Sequence, residues 1–461
     1  MTLPHSQLTT STEIDVAIIE TSGLGDRSYL IGAEGIAVVI DPQRDIDRVL
    51  DLARARGVRI THVLETHIHN DYVTGGLELS RTVGAEYVVP TGDEVGYQRR
   101  AVGDGDVIAA GPLRLQVMHT PGHTHNHVSY VLHDAAGTVA GVFTGGSMLH
   151  GTTGRTDLLG SEHTEELTHA QFRSVRRLAA ELPDHTQVYP THGFGSFCSA
   201  TPASGDASTI ADQRQDNPAL TQDEQSYVDQ LIAGLAAYPA YYAHMGVINT
   251  QGPDPVDLSL PQPVDARELR RRIGAGEWVV DLRNRTAFAA GHLGGTLGFE
   301  LSDSFVTYLG WLYSWGSPLT LIGDDQSQIA DARRELARIG VDNLTGSAVD
   351  DIRSLTGDEP LRSYRVADFA DLAEALRTHD LSVLDVRQTG EFADGHVPGA
   401  LNIPLHEITV RLGEIPVGEV WVHCASGYRS SIAASLIDRD DRTVVLVDDG
   451  FDRAEELGLV R

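Results

Sequence analysis

In the stretch THIHNDYVTGG (66–76), His67, His69 and Asp71 alternate. With that spacing, a loop at the end of a strand can present several ligands to one metal ion. Tyr72 follows where a further ligand is expected, which leaves open whether the loop has lost a metal or was built to hold only one. Single histidines in later turns can close the coordination shell: His123 in TPGHTHNH and His192 in YPTHGFGSF. His69, Asp71 and His192 stand as further ligands or as hydrogen-bonding partners behind His67 and His123. A second chemical signal is VWVHCASGYRSS (420–431). A cysteine at a strand end, followed by a small-residue loop and a helix, sets its sulfur in a ring of backbone N–H groups. Those donors, the helix dipole and Arg429 favour the thiolate of Cys424. The loop comprises Ala425, Ser426, Gly427, Tyr428 and Ser430.

Elements of two kinds must position these groups. VAIIE, SYLIG and IAVVIDP read as strands, DIDRVLDLARARG as a helix closed by Gly57, and THVLET as a strand entering the histidine loop. VMHTPGHTHNHVSYVL reads as two strands around a histidine-rich turn, with His125 and His127 expected as strand residues or as donors behind the ligands. EELTHAQFRSVRRLAAEL is an amphipathic helix that follows the pair Arg155 and Asp157, which could brace the site loop. Residues 199–226 are polar and rich in Pro, Ser and Asp, and read as an exposed excursion. NTQGPDP (249–255) and LPQP (260–263) mark a linker. Beyond it the chain repeats: WVVDLRNRTAFAAGHLGG (278–295) and SVLDVRQTGEFADGHVPG (382–399) align without a gap at an offset of 104 residues. In each, a strand precedes a polar loop and a helix, the pattern of a mostly parallel sheet.

The bulk properties agree with an α/β protein of three domains, expected at 1–248, 262–357 and 362–461. The chain has 461 residues, too many for one ordinary core. A hydrophobic share of 41% and a charged share of 22% are those of a soluble globular protein. The formal charge of −30 argues against nucleic acid and anionic membranes as partners. Fourteen of the twenty histidines fall in the first 200 residues, so metal chemistry is expected there. The two cysteines, Cys198 and Cys424, give no reason to expect a disulfide, and Cys198 reads as structural. The opening MTLPHSQLTTSTEI has neither the basic nor the apolar region of a secretory signal, so a cytoplasmic location is expected. A homo-oligomer is compatible with the sequence.

The order IDP (40–42), THIHND (66–71), TPGHT (120–124), FTG (143–145), GRTDL (154–158) and THG (191–193) resembles the metallo-β-lactamase fold, an αββα sandwich. Within it the chain looks most like the glyoxalase II and persulfide dioxygenase group. Members with two metals carry a histidine at the position of Tyr72 and an aspartate at that of Gly146, so a two-metal hydrolytic site is not expected. The resemblance implies one Fe(II) per chain, with His67 and His123 as ligands and zinc as the alternative. For the third ligand, His69, Asp71 and water stay open.

LDVR (384–387), EF (391–392), GHVPGALNIP (395–404) and CASGYRS (424–430) resemble a rhodanese domain. That resemblance implies a sulfane sulfur carried on Cys424, with Arg429 holding an anionic donor such as thiosulfate. Four residues separate Cys424 from Arg429, one fewer than in tyrosine phosphatases, so the ring suits sulfur better than phosphate. The middle domain enters GDDQSQ (323–328), has neither cysteine nor arginine there, and reads as a spacer or docking unit. Together the units resemble a persulfide dioxygenase–rhodanese fusion, which implies a low-molecular-weight persulfide, O2 and thiosulfate as small-molecule partners. Two other readings stay open: a zinc thioesterase fused to a rhodanese, and a non-catalytic first domain beside a working sulfurtransferase.

Overall fold

The computed structural model describes residues 14–461 apart from 202, 204, 358 and 379. They form two compact units, one running to Val256 with Ala337–Gly340 and the other holding Asp257–Leu336 and Val341–Arg461.

The first unit contains two sheets. In one, β1 (Asp15–Thr21), β2 (Asp26–Ala33) and β3 (Ile36–Ile40) pair antiparallel. Parallel strands β4 (Arg59–Leu64), β5 (Glu86–Pro90) and β6 (Arg100–Val102) continue it in sequence order. In the other, β7 (Val107–Ala110), β8 (Leu113–His119), β9 (Val128–His133) and β10 (Val139–Gly145) form an antiparallel meander. A short hairpin, β11 (Met148–Leu149) and β12 (Thr152–Thr153), leads away, and β13 (Gln187–Pro190) returns parallel to β10.

Alternation along the strands sorts the apolar residues into layers. Tyr29, Ile31, Val38 and Ile40 meet Leu115, Val117, Tyr130 and Phe143 between the sheets. Leu30, Ala37 and Val39 face the other way, toward helices Asp47–Ala55 and Gly76–Val83. Met118, Val131 and Val142 face helices Ser161–Glu181 and Glu224–Gly234. The result is an αββα sandwich, as expected, with the histidine turns at strand ends.

The segment 199–226 differs from the exposed excursion expected of it. It folds into helices Ile210–Asp216 and Pro218–Thr221 and the start of Glu224–Gly234. Ile210 and Ala219 are fully buried against helix Ser161–Glu181. Local capping explains how so polar a stretch holds helix: Thr209 and Asp212 form a reciprocal capping box, and Asn217 and Asp223 cap the next two helices.

The second unit holds two parallel sheets. Strands β14 (Trp278–Asp281), β15 (Leu297–Gly298), β16 (Leu319–Ile322) and β17 (Leu344–Ala348) form one, in the order β15-β14-β16-β17. Strands β18 (Arg365–Ala367), β19 (Ser382–Asp385), β20 (Leu401–Asn402), β21 (Gly418–His423) and β22 (Arg442–Val447) form the other, in the order β18-β22-β21-β19-β20.

The sequence repeat is a physical one. Arg283 clamps Asp281 and the Gly291 carbonyl, and Arg387 does the same to Asp385 and Gly395. His292 stacks on Phe288 at 4.0 Å and His396 on Phe392 at 3.9 Å. Each pair of matching residues thus repeats one network that ties the strand end to the following turn.

Candidate metal centre and sulfur-transfer loop

His67 follows β4, His123 sits in the turn between β8 and β9, and His192 follows β13. All three side chains are fully buried. Their ligand-capable nitrogens lie within 4.8 Å of one another, and Nε2 of His67 is 3.4 Å from Nε2 of His192.

The partners of the other ring nitrogens fix the tautomers. His123 Nδ1 is 2.7 Å from the Arg155 carbonyl, which only accepts, so Nδ1 carries the proton. His192 Nδ1 faces Asp26 at 2.9 Å in the same sense. His67 Nδ1 is 2.9 Å from Thr66 Oγ1, whose own proton goes to Asp41 at 2.7 Å, so the hydroxyl must accept from the ring. Each ring therefore has an Nε2 left over to ligate, and His123 Nε2 finds no hydrogen-bond partner among the described residues. Three buried lone pairs turned on one point are costly unless a cation fills it. This donor set fits a metal ion.

Burial lowers the pKa of His67 well below its usual value, and that of His123 to about 3. For His192 burial acts in the same sense, but Asp71 and Asp26 outweigh it and push the ring well up, so an ion binding at Nε2 must first displace a proton there. Burial and the neighbouring Asp71 raise Asp26 to about 7.

The other candidates fall elsewhere. His69 turns onto Asp41 and Glu65, at 3.3 Å each, and Tyr72 Oη lies 3.0 Å from its Nε2. Burial disfavours its charge, but the two carboxylates prevail and raise it to about 9, so His69 acts as their counter-ion. Asp71 lies 3.1 Å from His192 Nδ1, on the side away from the Nε2 lone pair. It therefore braces His192 together with Asp26. His69, Asp71 and His192 also form a group within 4.8 Å, but it shares His192 with the first, so the two cannot be filled independently.

Position 146 is closed as well as empty of a side chain. A Cβ there would lie 2.3 Å from Cδ2 of His123. Tyr72 is fully buried and donates to the Asp41 carbonyl at 3.2 Å.

Four further residues support the two sites, and His127 alone is weighed in the sequence, as a strand residue or a donor behind the ligands. Asp26 gives no local signal, because its partner His192 is far along the chain, and Glu65 pairs with His69 only four residues on without standing in the His-x-His-x-Asp spacing. His127 lies before β9 rather than in it, stacks 4.9 Å from His67 and accepts from the Gly146 N–H at 3.0 Å. His125, also outside the strand, packs edge-on against His163 instead. The fourth is Glu391, described below. The Arg155–Asp157 pair does brace the turn: the guanidinium holds Asp157 at 2.7 Å and the Phe197 carbonyl at 3.0 Å, fixing the carbonyl that orients His123. Cys198 is fully buried and donates to Tyr242 Oη at 3.8 Å.

In the second unit Cys424 directly follows β21, and helix Tyr428–Ile437 starts directly after Ala425, Ser426 and Gly427. Gly427 takes φ of 90°, a left-handed conformation that lets the loop turn back over the sulfur. The thiol is buried, 3.5 Å from Ser430 Oγ. Arg429 is held by both oxygens of Glu391, at 2.6 and 2.8 Å. The sequence contains a signal for this pair: Glu391 aligns with Ala287 in the repeat that lacks the cysteine and arginine.

Two family models match, the metallo-beta-lactamase superfamily over residues 24–192 and the rhodanese-like domain over residues 368–456. A crystal structure described as a metallo-beta-lactamase from Staphylococcus aureus is 31% identical, with a TM-score of 0.65. The match covers 72% of this chain and 98% of that one. The chain belongs to the metallo-β-lactamase superfamily. It joins that domain to a C-terminal rhodanese-like domain. The human mitochondrial persulfide dioxygenase ETHE1 is 28% identical over 240 residues, covering 51% of this chain and 81% of that protein. A probable polyketide biosynthesis zinc-dependent hydrolase, BaeB of Bacillus velezensis, is 31% identical over 164 residues, covering 34% and 68%. Among the described residues no helix is long and apolar enough to cross a membrane.

Proposed function

We propose that this superfamily member oxidises a low-molecular-weight persulfide at a single iron in its first domain and transfers sulfane sulfur through Cys424 in its last. The observation that carries the reading is the convergence of His67, His123 and His192 where Gly146 offers no bridging carboxylate. Kinship with a persulfide dioxygenase and the attached rhodanese-like domain both point to small-molecule sulfur chemistry.

In that reading His67, His123 and His192 hold the ion, which supplies a redox-active Lewis acid where a persulfide sulfur and O2 can meet. Overall, R–S–SH, O2 and water become R–SH, sulfite and two protons. Asp26 and Asp71 keep the His192 ring turned with Nε2 forward, and the Arg155 carbonyl does so for His123. Tyr72 and Gly146 fill the space of a second ion with a phenol and a packed ring. In the last domain the Cys424 thiolate attacks a sulfane sulfur, the donor's S–S bond breaks, and Cys424 is left as a persulfide. With thiosulfate as donor the leaving group is sulfite.

A second reading has support of its own: three histidines are also the ligand set of a catalytic zinc, and BaeB is described as zinc-dependent. Oxygen uptake with a persulfide separates the two. Stoichiometric iron with O2 consumption supports the dioxygenase; activity on a thioester with zinc, and no O2 uptake, overturns it.

A further inference from the structure

We infer that Glu391 sets the charge class of the sulfur donor at Cys424, turning the loop away from dianions and toward the uncharged sulfur of a protonated persulfide, R–S–SH. This rests on the reading of Cys424 as the sulfur carrier. Beyond the partial charges of its backbone N–H groups and of the helix start, the loop has one side-chain cation to offer a dianion, and that cation is already neutralised. Arg429 is the only cationic side chain in the 424–430 loop, and both its terminal nitrogens are spent on Glu391. Glu391 is held in place from behind: its Oε2 also accepts from the Gln388 N–H at 2.9 Å. Arg429 draws the carboxyl below its usual pKa despite burial, so it stays ionised at neutral pH.

The other flank of the loop is no more positive. Asp448 packs so closely on Gly427 that a Cβ there would lie 1.9 Å from its Oδ1. Arg285 answers Asp448 at 2.8 Å, but it is also shared with Glu300 at 2.7 Å. Glu300 in turn takes the Tyr428 hydroxyl on its backbone carbonyl at 2.8 Å. Arg429 and Arg285, the guanidiniums of the loop and of this flank, are thus already answered by Glu391, Asp448 and Glu300. A dianion entering here meets net repulsion, whereas R–S–SH carries no charge on its reacting end. The step balances without a further reagent: Cys424–S⁻ bonds to the outer sulfur, the R–S–S bond breaks, and the persulfide proton leaves on R–SH. Glu391 acts through Arg429 and is a positioning residue. Its absence from the inert repeat, where Ala287 stands, matches that role.

The test uses the full-length chain with cyanide as acceptor, comparing thiosulfate with 2-hydroxyethyl persulfide as donors. In Glu391→Gln the ratio of kcat/KM for thiosulfate to that for the persulfide rises at least about tenfold, mainly through a lower KM for thiosulfate, as expected for removing one nearby charge. Glu391→Asp, which keeps the charge, retains the wild-type ratio. In the wild type, kcat/KM for thiosulfate holds or rises with added salt, because screening relieves repulsion. An unchanged ratio in Glu391→Gln, an equal loss for both donors, or a steep fall with salt in the wild type would overturn the inference. Sulfur transfer that survives in Cys424→Ser would instead overturn the assignment of the carrier itself.

Discussion

Replacing Gly146 by alanine tests whether that position is a lost ligand or a packed support. The backbone there lies outside the left-handed region, so a methyl group introduces no torsional strain and its effect is steric. The new Cβ would sit 2.3, 2.6 and 2.8 Å from Cδ2, Cγ and Nε2 of His123. Carbon atoms pack comfortably at about 3.5–4.0 Å, so the ring must move by roughly 1 Å. It cannot move freely, because Nδ1 is held by the Arg155 carbonyl at 2.7 Å and Gly154 closes on the same nitrogen. Overpacking costs about 1–3 kcal/mol, and a weakened buried hydrogen bond about 1 more. For a domain of this size, each kcal/mol lowers Tm by roughly 2–4 °C, so a fall of about 4–16 °C is expected in the metal-free protein. Moving one of three ligands weakens metal binding by about 10–100-fold or more. The assay is thermal unfolding with and without metal, together with competition against a chromophoric chelator. Wild-type Tm and wild-type affinity in Gly146→Ala would refute the packing argument. Gly146→Asp is expected to behave no better, because its carboxylate must enter through the same contact.

Further outcomes follow from the same geometry. Cys424→Ser abolishes transfer of sulfur to cyanide, and Arg429→Ala reduces it by about tenfold or more because Glu391 is left without its counter-charge, measured as thiocyanate formed. Tyr72→His leaves the metal count at one ion per chain by elemental analysis, because no carboxylate at position 146 bridges a second. Asp438, between His292 at 3.0 Å and Arg362 at 2.7 Å, is held down at about 2 by these partners against the opposing pull of burial. Its folded pKa is depressed, so its stabilisation is present above about 3.8 and is lost as pH falls through about 2. In Asp438→Asn the unfolding midpoint of the second unit therefore depends less on pH across that window.

The fold and two of the three imidazoles of the candidate metal pocket were legible in the sequence because they rest on local pattern. Alternation in SYLIG and IAVVI placed two faces of a sheet, and HxH followed by PGH placed His67 and His123. The third imidazole was visible as a candidate only. Choosing His192 over His69 depends on Asp41 and Glu65, which draw His69 aside through contacts between residues 41, 65 and 69 that no spacing encodes. The helices within 199–226 were legible in principle, through Thr209–Asp212 and the Asn217–Pro218 pair, but their apolar residues are too few for a clear period. Glu391 was hidden differently. Its partner Arg429 lies far along the chain, and only the comparison of Glu391 with Ala287 hints that the two belong together.

The central claim is one redox-active ion held by three histidines from separate turns. Metal content after anaerobic iron loading, measured together with O2 consumption on adding a persulfide, tests it most directly. The account predicts about one iron per chain, with O2 uptake that disappears in His67→Ala, His123→Ala and His192→Ala. Two ions per chain, or full uptake in His192→Ala, would contradict it.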